Sequence, residues 1–307
     1  MAAKRERETT KAASNSKSKE MFNLKGSAKI GILLYGLGAE FFEGMKQGIL
    51  DRTEELLHHI DFELLTKQTK ADATCQLEAL KQMEKEKISG LIISPCNDER
   101  IAEKINQLVD KGIPVVCVNN DLPESKRMAF VGSDAYKSGE TAGGLMGLFT
   151  GGKAEVAVIN GTPGVKGLDD RIQGFRDAVS KNYPGIRIEV VEDCYSDDYK
   201  AYEAIQRILM ENPGITAFYF TSGGTYGGCK AIYQLTQRYP FTVLTYEMTE
   251  STKEFLEKGV ITASICQDPY HQGVDALDVL TRKMFFDTNP KSEVTHADIY
   301  IKIKESL

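Results

Sequence analysis

Tryptophan is missing from this 307-residue sequence, and aromatic residues make up only 8% of it. Any stacking surface must therefore come from Phe and Tyr. Long apolar runs are missing too: no stretch reaches the ~20 residues that span a bilayer, and nothing near the start has a signal peptide's apolar core. There is no basic excess. The formal net charge is −6, so the molecule as a whole has no attraction for nucleic acid or an anionic membrane. Cysteine is scattered at positions 75, 96, 117, 194, 229 and 266 with no CxxC pair, which points away from zinc or redox chemistry and suits a reducing compartment.

Sites for chemistry are equally sparse. The four histidines are His58, His59, His271 and His296, and none falls at the end of a strand beside a Ser or Cys, so no catalytic triad or dyad can be assembled. Gly36-Leu37-Gly38 follows the first apolar run, as a dinucleotide fingerprint would, but Phe41 stands where G-x-G-x-x-G needs its third glycine. No phosphate-binding G-x-x-x-x-G-K-[ST] loop occurs. The sequence therefore indicates no metal, no cofactor and no enzymatic reaction. Paired acids at Asp169–Asp170 and Asp197–Asp198 remain; the second pair sits at a helix start, where acids cap.

What is present is a strict alternation. Short apolar runs recur at 29–35, 60–65, 90–94, 114–118 and 129–131, and again at 154–159, 186–191, 216–220, 241–246 and 261–266. They are rich in β-branched or aromatic residues and bounded by Gly, Pro, Asn or Asp, which predicts strands buried on both faces. Between them lie segments with helical spacing, such as FFEGMKQGILDRTEELL. Strand–helix–strand repetition means parallel sheets covered by helices. The runs form two sets of similar order, so the expected fold class is α/β: two similar doubly wound parallel-sheet lobes joined by a hinge of three crossings. The expected division is a disordered polar tail over 1–28, an N-terminal lobe of 29–132 plus 268–295, and a C-terminal lobe of 133–267 plus 296–307. The last alternating segment, VTHADIYIKI, reads as an edge strand.

Ligands of open parallel sheets bind outside the carboxyl ends of the strands. The loops there are GLGAEFF, SPCND, NNDLPESKR, NGTPGVKGLDDR, TSGGT, YEMTE and QDP. Amides, carboxylates and hydroxyls with interleaved Phe41, Phe42 and Tyr246 suit a polyhydroxylated ligand, because planar polar groups pair with vicinal hydroxyls and rings cover a sugar's C–H face.

In their order and spacing, KIGILLYGLGAEFFEGMKQG, GLIISPCND, IPVVCVNND, FVGSDAYKSGETAG, the R-x-x-GF of Arg171–Phe175 and SICQDPYHQG resemble the type I periplasmic binding proteins. The resemblance covers about residues 29–307 and is nearest to the ribose-binding group and the lac-repressor-type effector domains. It implies a sugar or polyol held in a cleft between lobes that close on a hinge. It also implies site residues: Tyr35, Phe41 and Phe42 match the first-strand loop, with Ala39 and Glu40 where ribose binders place an amide before a proline. Asn119 and Asn120 stand where the family has an Asp-Arg pair, with Asp121 following. Asp169 stands at a ligand arginine, Arg171 at a structural one, and Ser222 at an asparagine. Tyr246 and Glu247 match an aromatic and a hydroxyl-clamping aspartate, and Gln267 matches a glutamine at the last crossing. The departures argue that the ligand is not ribose.

Two roles follow from the resemblance. The first is a cytoplasmic sensor like the lac-repressor-type transcriptional regulators but lacking their helix-turn-helix head, since only about 28 residues precede the first strand and that head needs roughly sixty. The alternative is the receptor of a sugar ABC transporter whose signal sequence is absent from this chain, which would place the protein outside the cytoplasm. The expected partner is a small sugar or polyol, with no nucleic acid contact and no membrane insertion; the resemblance adds a homodimer as a further expectation.

Overall fold

A computed structural model describes residues 28–36, 39–70, 72–235 and 241–307. The tail expected over 1–28 lies outside the described residues except for Ala28, which opens the first strand. Leu37 and Gly38 of the partial fingerprint lie outside them as well.

The chain forms two compact units. One contains the residues up to Gly132 together with Pro269–Thr295, the other Ser133–Asp268 with His296–Leu307. The first unit is built on β1 (Ala28–Tyr35), β2 (Phe62–Thr69), β3 (Gly90–Ile93), β4 (Val115–Val118), β5 (Ala129–Gly132) and β11 (Val294–His296), in the order β11-β5-β4-β3-β1-β2. Its helices are α1 (Glu40–Leu57), α2 (Ala73–Lys85), α3 (Glu99–Asp110) and α9 (Pro269–Phe286). Strands β1 to β5 pair in parallel.

The second unit repeats the plan. It contains β6 (Lys153–Asn160), β7 (Gly185–Asp193), β8 (Ala217–Phe220), β9 (Thr242–Tyr246), β10 (Ala263–Cys266) and β12 (Tyr300–Lys302), ordered β12-β10-β9-β8-β6-β7. Around them lie α4 (Ala135–Phe149), α5 (Lys166–Asn182), α6 (Asp198–Glu211), α7 (Thr225–Leu235) and α8 (Glu250–Glu257).

Strand periodicity sorts each sheet's side chains into two cores. In the first unit Ile30, Ile32, Val116 and Val131 pack under α1 and α9, while Leu33, Leu91, Cys117 and Phe130 face α2 and α3. In the second, Ile159, Phe218, Phe220 and Val243 meet α6, α7 and α8, and Val158, Tyr219, Leu244 and Ile265 meet α4 and α5. Central strands therefore need apolar residues at nearly every position, whereas the edge strand β7 alternates exposed residues with buried or half-buried ones and the edge strand β2 is mostly half-buried. Helix starts are fixed by side-chain oxygens: Asp72, Asp98, Asp134, Asp197 and Thr249 each accept a backbone N–H of the first turn. Asp197 is thus a cap, as its place in the sequence indicates.

The segment VTHADIYIKI is not one edge strand but two. Val294–His296 borders the first sheet, and Tyr300–Lys302 runs antiparallel to β10 in the second. Alternation alone could not show that Ala297–Ile299 breaks the ladder between two sheets.

Candidate functional site

Because the central strands are parallel, their carboxyl ends gather at one edge of each sheet. In the first unit that edge begins with Tyr35, half-buried at the end of β1. Its ring lies 4.9 Å from that of Phe42, which in turn meets Phe41 edge-on at 5.1 Å. Phe42 is buried and anchors the first turn of α1, leaving Phe41 half-exposed. The Asn120 amide donates to the Tyr35 hydroxyl and to the Pro95 carbonyl. Asp121 is taken up within the unit: Arg127 grips both its oxygens and also donates to the Glu293 carbonyl at 3.3 Å. Asp121 therefore shapes the loop after β4, and its charge is already matched.

Asn119 holds a left-handed backbone, φ 64°, while its N–H donates to Val131 at 2.9 Å. The matching position in the second unit is Glu247, after β9. It has φ 64° as well, and its N–H donates to Ile265 at 3.0 Å. Non-glycine residues in this region cost about 1–3 kcal/mol each, and such strain gathers at functional sites. Replacing Asn119 by Gly should leave the melting temperature nearly unchanged. Replacement by Val, whose branched Cβ resists this conformation, should cost about 1–2 kcal/mol in a urea titration.

The second unit's edge is a connected polar layer. Arg171, buried in the first turns of α5, donates from Nη1 to the Thr221 carbonyl and from Nη2 to Gln267 Oε1, both at 2.6 Å. Its guanidinium lies 3.8 Å from the centre of the Tyr246 ring. Gln267 also accepts from Ser133 Oγ and donates from Nε2 to Glu247. Tyr246 shares its hydroxyl with Ser138 and Tyr219, each at 3.0 Å. Burial pushes the Glu247 carboxyl above its ordinary range. Asp169 lies exposed in the first turn of α5. Partial desolvation, then the neighbouring charges of Asp170 and Asp193, push its carboxyl up as well. Ser222, after β8, meets Ser196 hydroxyl to hydroxyl at 3.3 Å.

The structure thus joins Arg171, Tyr246, Glu247 and Gln267 in one network, joins Tyr35 with Asn120, and leaves Ser222 and Asp169 beside other partners. Sequence reasoning passed over Ser133, Ser138, Asn160 and Thr221. Asn160 donates to Asp193 and accepts from Thr221 Oγ1, both at 2.8 Å. All four fall at strand ends or helix starts, so their positions were the available signal; small polar residues there are too common to stand out. Gln76 was missed for another reason. It lies in α2, yet its amide bridges Ser94 O and Cys96 N at 2.8 Å and fixes the loop after β3.

All six thiols are unpaired. Burial pushes Cys96 up to about 11 and Cys117 and Cys266 up to about 12, so these three hold their protons near neutrality. Among the described residues no group of three His, Cys, Asp or Glu side chains could hold a metal ion. His58 follows α1, and His271 lies in α9 with its ring 5.2 Å from Tyr270. No described helix is long and apolar enough to cross a membrane.

Two doubly wound units with aromatic and hydrogen-bonding residues at the strand ends define an α/β solute-binding protein. A model of the periplasmic binding protein domain matches residues 30–285, and the chain belongs to that family. It is 24% identical over 255 residues to the D-ribose/D-allose-binding protein of Pseudomonas aeruginosa, covering 80% of this chain and 79% of that one. It is 20% identical to the ribose import binding protein of Haemophilus influenzae, covering 90% of each. Among solved structures, a glucose-galactose binding protein from Geobacillus stearothermophilus superposes with a TM-score of 0.84 at 28% identity, covering 92% of this chain and 99% of that one. An ABC transporter periplasmic solute binding protein from Actinobacillus succinogenes with bound D-allose shares the fold, with a TM-score of 0.82 at 20% identity over 91% of this chain and 98% of that one. These relatives are sugar-binding proteins, and they favour the receptor alternative over the cytoplasmic sensor expected first.

Proposed function

We propose that this chain is the solute-binding receptor of a sugar ABC transporter, that it works outside the cytoplasmic membrane, and that it binds without converting its ligand. The ligand in this reading is one sugar or polyol, taken up by polar residues at the carboxyl ends of the strands. The observation that carries this reading is the Arg171–Gln267–Glu247 layer at the carboxyl ends of the second sheet. Planar amide, guanidinium and carboxylate groups, fixed to one another by hydrogen bonds, suit adjacent hydroxyls. Phe41, beside Phe42, offers the apolar face that a sugar ring requires. The names of the relatives support the same ligand class, and transporter receptors among them support the location.

Thermal-shift screening tests the ligand class. D-ribose, D-allose, D-arabinose, D-galactose, D-glucose and xylitol form the first set. Free ligand at a hundred times its Kd adds about 2.7 kcal/mol, which in a protein of this size corresponds to a rise of about 4 °C. If a nucleotide or an amino acid raises the melting temperature and no sugar or polyol does, the reading is wrong. Fractionating native cells decides the role: a sugar-binding protein found in the cytoplasm would restore the sensor.

A further inference from the structure

We propose that the preferred ligand carries a positive charge, as an aminodeoxy sugar does, and that Glu247 receives its ammonium group. This rests on the sugar-binding reading above and names the substrate class within it.

The argument is one of unmatched charge. Arg171 is the cation built into the polar layer, and both terminal nitrogens already serve protein acceptors, Thr221 O and Gln267 Oε1. The Gln267 amide stands between Arg171 and Glu247, its oxygen turned to one and its Nε2 to the other. Glu247 is therefore held by a neutral donor. Its second oxygen, Oε2, receives the backbone N–H of Gln267 at a long 3.4 Å. Among the described residues Glu247 has no ion pair. An ionised carboxylate offers about four acceptor positions, so capacity remains at a group whose backbone is pinned by Ile265 and by Ser264 Oγ at 2.7 Å.

Asp169 repeats the imbalance. The nearby Lys166 is paired with Asp170 at 2.5 Å rather than with Asp169. Asp193, next to it, is held by the neutral Asn160 amide. Three carboxylates at this end of the second unit thus have no direct ion pair among the described residues, and the one arginine near Glu247 spends its terminal nitrogens on Thr221 and Gln267. Burial is the main cause that raises both Glu247 and Asp169; Arg171 only partly offsets it at Glu247, and at Asp169 the charges of Asp170 and Asp193 add to it. A hydroxyl would satisfy an acceptor but leave the charge unmatched. An ammonium group does both, and charge-assisted hydrogen bonds are roughly twice as strong as neutral ones.

Titration calorimetry near pH 7 tests the proposal with D-glucosamine and D-galactosamine, their neutral parents D-glucose and D-galactose, and the N-acetyl derivatives, which lose the charge. The amino sugars should bind about tenfold or more tightly than parent or N-acetyl forms, as one matched charge pair would give. Glu247→Gln should abolish that preference. Asp169→Asn, at an exposed side chain, should reduce it and serves if the first variant melts early. Neutral parents or N-acetyl forms binding as tightly as the amines would overturn the proposal, as would any neutral sugar binding while both amines fail. A preference that survives both substitutions would overturn the role of these carboxylates. If neither amines nor neutral sugars and polyols bind, the sugar-binding reading itself fails.

Discussion

Gly227→Ala should cost this protein about 3 kcal/mol or more and lower its melting temperature by about 5 °C or more. A Cβ at Gly227 would lie 1.7 Å from the carbonyl oxygen of Asp198, the residue that opens α6. Both clashing groups are attached to backbone, so no side chain can turn aside. The contact is also held in place, because the Gly227 N–H donates to Asp198 Oδ1 at 3.1 Å. Relief would require α6 and α7 to move apart, and Phe220 packs against neighbouring Gly228 within the same core. Gly144→Ala is the matched control. A Cβ there meets nothing within 4 Å in the middle of α4, and helix propensity should make the change neutral or stabilising by up to about 1 kcal/mol. Circular dichroism melts of the two variants separate close packing from a general intolerance of larger residues.

Arg171→Ala should weaken sugar binding at least about a hundredfold and destabilise the second unit by roughly 3–5 kcal/mol, the worth of two hydrogen bonds to a charged group. Removing the guanidinium uncovers Gln267 Oε1, the Thr221 carbonyl and the face of Tyr246 together. Gln267 then keeps Ser133 and Glu247 but loses the guanidinium that fixes its oxygen, and Glu247 loses the nearby positive charge that partly offsets its burial. Lysine should not rescue the variant, because a single ammonium cannot serve two divergent acceptors and also lie flat on a ring. Urea unfolding measures the stability loss and sugar titration the affinity. Binding within threefold of the parent protein would show that this layer does not position the ligand.

The fold was legible because central strands buried on two faces must be apolar throughout, and ten such runs announced ten strands. Their parallel pairing and two-fold repetition followed from the alternation with helical segments, whereas their order along each sheet came only with the structure. Less legible was anything set by side-chain partners. Asp121 looks in sequence like a ligand acid, yet Arg127, six residues away, claims it. Nothing in NNDLPESKR states which cation turns back upon which acid. Gln267 and Arg171 were both identified, but their joining through one carboxamide depends on tertiary packing across 96 positions. The strain at Asn119 and Glu247 was invisible as well, since neither residue type demands a left-handed backbone.

The discontinuity of the first unit sets an order of events during synthesis. Its five parallel strands β1 to β5 are all made once Gly132 has been made, but β11 comes later and α9, the helix that covers Ile30, Ile32 and Val116, begins only at Pro269. Until that helix leaves the ribosome, an apolar surface of the earliest-made strands stays uncovered, while Ser133–Asp268 already contains nearly all of its own unit. The part made first is therefore finished late, and a nascent chain halted before Pro269 would present the strand surface on which a chaperone acts.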